Sequence, residues 1–86
     1  MKEEYKQAVF ELVEKILIKY NAYSQIYIYC VEFCNKTLHE YFEEYYDKHD
    51  GKIDGFIRDS SKYPEVYPEW INGLINLRHK YKIYPV

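Results

Sequence analysis

Between residues 3 and 20 the apolar positions recur at intervals of three and four. Tyr5, Ala8, Val9, Leu12, Val13, Ile16, Leu17 and Tyr20 share one side of a 3.6-residue helix, while Glu4, Lys6, Glu11, Glu14, Lys15 and Lys19 fall off it. That stripe, free of glycine and proline, predicts an amphipathic helix over 3–20. Glu11–Lys15 is a favourable i,i+4 pair and Lys15–Lys19 an unfavourable one, so surface charge decides little here. Asn21 is expected to close this helix in a left-handed conformation, with Ser24 or Asn21 capping the next.

The next stretch reads two ways. Gln25 to Phe33 is β-branched and aromatic, so local propensity alone favours a strand. Over a longer window, Ile26, Cys30, Phe33, Cys34, Thr37, Leu38, Tyr41, Phe42 and Tyr45 trace a helical stripe, and Glu32, Asn35, Lys36, Glu40, Glu43 and Glu44 lie mostly off it. With no glycine or proline inside, the longer pattern predicts a single helix over 24–48.

Asp50-Gly51 ends that run, and residues 52–62 read as a loop with a short helical turn that points Ile53, Phe56 and Ile57 inward. A Tyr-Pro-Glu unit then occurs twice, at Tyr63 and at Tyr67. Proline followed by an acid is a helix-start signal, so a closing helix is expected over 68–80, burying Trp70, Ile71, Leu74, Leu77 and Tyr81. Gly73 either weakens it or lets a neighbouring helix come close. The fold class is therefore all-α: a small helical bundle and a single domain over 1–86. Two long antiparallel helices, a short connecting element and the closing helix build it.

Composition agrees with one small globular domain. Hydrophobic residues make up 48% and aromatic residues 20% of the 86 positions, enough for a core without disulfide or metal. The net charge of −2 argues against a general polyanion binder. Seven acids between Glu32 and Asp54 face three lysines, whereas Arg78, Lys80 and Lys82 follow the last acid, Glu69. The start, Met-Lys-Glu-Glu, has no apolar run behind it, and no stretch approaches a membrane span. A cytoplasmic protein with reduced thiols at Cys30 and Cys34 is expected.

Few residues suggest chemistry. Asp50-Gly51-Lys52-Ile53-Asp54 resembles the centre of an EF-hand calcium loop, but with Gly51 at position 6, positions 1, 3 and 12 are Tyr46, Lys48 and Ile57, which are not ligands there. Cys30 and Cys34 lack the further ligands a structural zinc needs and read as core thiols. His39 stands one turn from Glu43, yet no nucleophile or phosphate-cradling loop accompanies it. The expectation is a protein without catalytic residues, metal or cofactor.

Two surfaces remain. Arg78, His79, Lys80, Tyr81 and Lys82 interleave basic and aromatic groups, the composition of a phosphate-pairing, base-stacking site. Glu40, Tyr41, Glu43, Glu44, Tyr45, Tyr46 and Asp47, with Tyr63 and Tyr67, combine aromatic anchors with one sign of charge, as protein interfaces do. The acidic helix end followed by Tyr63-Pro64, Tyr67-Pro68 and a closing helix resembles the C-terminal half of the colicin DNase immunity proteins. The adjacent Tyr-Tyr-Pro of that family is absent, so no residue role is carried over. The leading expectation is a helical module that binds another protein with a basic surface, as inhibitor, adaptor or accessory subunit, or that binds a second copy of itself. The alternative is a nucleic-acid-associated protein using the basic tail.

Overall fold

The structure, a computed structural model, describes residues 2–59 and 64–83. Among these, helices α1 (Lys2–Lys19), α2 (Tyr23–Phe33), α3 (Leu38–Lys48), α4 (Asp54–Asp59) and α5 (Val66–Lys80) follow in order, with no strand. The molecule is the expected all-α bundle.

The expected stripe of α1 is largely the buried one: Tyr5, Val9, Val13, Ile16 and Leu17 are all buried. Phe10, one residue off the stripe, is buried too, because α1 is covered on a second side. Its ring lies 5.0 Å from Phe42 of α3. On the other side α1 packs along α5, whose Val66, Trp70 and Leu74 complete the core. The approach is close at Gly73, where a β-carbon would come within 2.8 Å of the Leu12 side chain. Of the two readings of that glycine, close helix approach is the observed one. Lys19 pairs with Glu69 to tie the two helices at one end, and Tyr5 meets Tyr81 edge-on at the other, with ring centroids 6.1 Å apart. Ile53, Phe56 and Ile57 point inward as expected and close the core beneath α3. α5 begins at Val66 instead of Pro68. Pro68 is accommodated because the first-turn N–H groups have no partner within the helix.

The ends of α1, α3 and α5 follow one local rule. Asn21, Asp50 and Lys82 all take positive φ, at 58°, 56° and 55°. The next residue's N–H then reaches back five residues: Ala22 to Leu17, Gly51 to Tyr46, and Ile83 to Arg78. These bonds satisfy end carbonyls that the helix cannot.

The expected single helix over 24–48 is two helices. Residues 26–33 are helical, not extended, but α2 stops at Phe33, and Asn35 adopts φ 55°. Thr37 is extended at ψ 162° and opens α3 through a reciprocal capping box. Its hydroxyl accepts from the Glu40 N–H at 3.0 Å, and its own N–H donates to the Glu40 carboxylate at 3.0 Å. Satisfying two otherwise orphaned donors makes a fresh helix start competitive with continuation. The turn lets Leu38 and Phe42 enter the core, while Phe33, which lay on the expected inner stripe, is left outside.

The Glu40 carboxyl is held below its ordinary range, first by the Thr37 backbone N–H and then by the Thr37 hydroxyl. Its contribution to stability is complete above the ordinary value of about 4.3 and is lost as pH falls through the depressed value. Thr37→Ala is expected to lower unfolding free energy by about 1 kcal/mol. Glu40→Gln, less stable than wild type near neutrality, should converge with it in acid. Urea unfolding as a function of pH checks both.

Candidate functional site

α3 displays the acids and tyrosines singled out from sequence, and the structure shows what each touches. Lys6 of α1 reaches across to Asp47 at 3.0 Å and Glu43 at 3.5 Å, and lies 5.4 Å from the Tyr46 ring centroid. Its side chain is only 11% exposed. Burial pulls its pKa down, but the hydrogen bond to Asp47 and the charges of Asp47, Glu43 and Glu3 outweigh that, leaving it raised. Glu44 pairs with Lys36, and Glu40 is occupied in the capping box. The acidic face is therefore largely paired within the molecule.

The tyrosines of α3 are half-buried. Tyr41, Tyr45 and Tyr46 pack on the core from outside, Tyr41 and Tyr45 against Phe56 at 5.8 and 5.5 Å. Burial pushes the Tyr41 and Tyr46 hydroxyls above their ordinary pKa. Tyr67 also packs against the core, from α5. Tyr63 lies outside the described residues. His39 bridges helices: one ring nitrogen is 3.1 Å from Glu43, the other 3.2 Å from Gln7, and the ring sits edge-on to Phe10.

In the basic tail, Arg78, His79 and Lys80 form the last turn of α5, where cations suit the helix dipole. Tyr81 caps the helix and its ring packs against Tyr5; Lys82 supplies the left-handed turn. Among the described residues no group of three or more His, Cys, Asp or Glu is placed to hold a metal ion. Asp47 is held by Lys6, Asp54 accepts the Trp70 indole N–H at 2.9 Å, and Asp50 turns the chain. Burial pushes the Cys30 thiol up, and the neighbouring Cys34 thiol raises the Tyr29 hydroxyl above its ordinary pKa. No described helix is long and apolar enough to cross a membrane.

The most unusual surface is on α2, which the sequence reading left out of its site. Of its eleven residues only Cys30 is buried, and Glu32 is its one charged group. Tyr27, Ile28, Tyr29 and Val31 are each 45–49% exposed, and Phe33 is 77% exposed. Beside Tyr29 and Phe33, which stack at 5.8 Å, a groove of about 340 Å³ opens between α2 and α3, lined by Gln25, Ile26, Tyr29, Tyr41, Tyr45 and Phe56. The sequence signal was present: a helix apolar on every side, with only one side to bury in an 86-residue fold.

Comparison with family models, curated proteins and solved structures finds no match to this chain. Any functional reading therefore rests on these surfaces alone.

Replacing the bridging cation tests the inward pairing of the acids. Lys6→Met should lower stability near neutral pH by about 0.5–1 kcal/mol, since both acids it holds are partly solvated. A raised lysine pKa contributes stability that is complete below the ordinary value and lost as pH rises through the folded one. The gap between wild type and variant should therefore close above about pH 10.4, as followed by urea unfolding.

Proposed function

We propose that this chain is a non-enzymatic protein-interaction module, an inhibitor, adaptor or accessory subunit, that grips its partner with the Tyr29–Phe33 edge of α2 and the adjoining α3 groove. The exposure of Phe33 carries this reading. Burying a phenylalanine stabilises by about 1.5–3 kcal/mol, and a fold this small gives up that contribution when it leaves Phe33 at 77% exposure. Such a ring beside a groove walled by Tyr29, Tyr41 and Tyr45 has the make-up of an interface hot spot: aromatic anchors around an indentation. The partner it suits is a protein segment that inserts an apolar side chain between α2 and α3.

Electrostatics plays a secondary part. Glu43, Asp47 and Glu44 are already paired with Lys6 and Lys36, so the apolar contact supplies the affinity and attraction to a basic partner surface adds little. The nucleic-acid alternative gains no support, because the ring of Tyr81 is packed against Tyr5.

The test is site-specific photo-crosslinking in extract of the native host. A photoreactive phenylalanine analogue at position 33 should crosslink strongly to one dominant protein, while the same group at exposed Lys52, which does not line the groove, should give little. Phe33→Ser should abolish binding of that protein yet change stability by no more than about 0.5 kcal/mol, as expected of an exposed position. Equal crosslinking from positions 33 and 52 would sink the proposal.

A further inference from the structure

The opposite edge of α2 is not part of that groove. At about 100° per residue, Ser24, Tyr27, Ile28 and Val31 form a stripe on the side of α2 turned away from Tyr29 and Phe33. Tyr27, Ile28 and Val31 are each nearly half exposed. Tyr23, Ser24, Tyr27 and Ile28 surround a notch of about 300 Å³ in this face, and the Tyr23 and Tyr27 rings stack at 6.0 Å to form one wall. Four residues around a hole is the arrangement that receives a side-chain knob from a facing helix.

We infer that this face binds a second copy of the chain, with the two α2 helices antiparallel across a two-fold axis at Ile28. The face is self-complementary about that residue. An antiparallel pair centred on Ile28 places position 31 of one copy against positions 24 and 25 of the other, so each Val31 meets the other copy's notch. One rotation satisfies both sites and closes the assembly, as an isologous interface requires. A different partner would have to reproduce the same bump and hole.

The single charge on α2 selects the orientation. Parallel helices would set Glu32 beside its own copy. The antiparallel pair separates the two carboxylates by about 12 Å along the axis at 1.5 Å per residue. It also brings each Glu32 to the other copy's Ser24, whose hydroxyl is a donor for it. A net charge of −2 per chain adds little repulsion.

Area sets the strength. Tyr27, Ile28 and Val31 together expose roughly 280 Å² per copy, taking roughly 200 Å² for a whole side chain of the larger kind. Pairing removes roughly 560 Å² from these residues, with Ser24 and Glu32 adding at the rim, which places the contact among small transient ones, where a stable standard interface has roughly 1,600 Å². The dimer is therefore concentration-dependent and in exchange with monomer.

Sedimentation velocity between about 1 and 300 µM tests this. Wild type should pass from monomer toward dimer across that range. Ile28→Glu and Ile28→Lys, each carrying a like charge onto the two-fold axis, should weaken dimerisation by at least about tenfold. An equimolar mixture of the two variants should recover it. A wild type that stays monomeric throughout overturns the inference. So does an Ile28→Glu variant that dimerises as wild type does, or a mixture that fails to recover. Circular dichroism checks that each variant is folded. Should Ile28→Glu lose helicity, Val31→Glu must weaken the dimer in its place. Phe33→Ser should dimerise normally, which separates this interface from the one proposed for the partner.

Discussion

Trp70 is fully buried on α5, and its one polar atom, the indole N–H, donates to Asp54 in the first turn of α4 at 2.9 Å. A buried indole needs such an acceptor, and the acceptor's position fixes where α4 begins. From that anchor the core follows. α5 lies along α1 closely enough that only glycine fits at position 73 without moving Leu12. Ile53, Phe56 and Ile57 come in under α3, and Phe42 meets Phe10 on the far side of α1. Truncating a tryptophan in such a place costs about 3–5 kcal/mol, a large share of what a small domain has in total.

The position of α2 is a consequence. One core of this size is filled by α1, α3, α4 and α5, and α2 reaches it only through Cys30 and the half-buried Tyr23 and Ile26. The shortest dimension of the molecule, 17 Å, is less than two full helix diameters of about 10–12 Å. There is no further layer to cover the outside of α2. An apolar helix held on one side is poorly explained by stability, since its exposed rings contribute little to folding. Contact with other molecules is the explanation proposed for it. The two edges of the helix differ in kind: one borders a groove between helices, and the other carries the exposed Tyr27, Ile28 and Val31 beside a notch.

Much of the fold was legible in the chain. The 3.6-residue stripe of α1, the inward Ile53, Phe56 and Ile57, the closing helix around Trp70 and the left-handed turn at Asn21 all follow from periodicity and turn chemistry. The break at residues 34–37 was not read, although its signal is present. Thr37-Leu38-His39-Glu40 is a capping box ahead of an apolar run, and Asn35 tolerates positive φ. A stripe that continued across the break concealed it, because a turn in the chain can keep the same residue types near the same core. The candidate site was harder to read. Counting acids and tyrosines drew attention to α3, but Lys6 and Lys36 neutralise its acids from elsewhere in the sequence, and a list of residues cannot show that. Which tyrosines roof the core and which stand clear depends on the same tertiary pairing.

α1 and α5 form the cooperative core, and α2 rides on it as an exposed, lightly docked helix. Amide hydrogen exchange in dilute solution tests it residue by residue. Amides of Val13 to Leu17 and of Leu74 should exchange only through global unfolding. Those of Ile28 to Val31 should exchange at least about tenfold faster through local opening. Equal protection of α2 and α1 in the monomer would contradict the account.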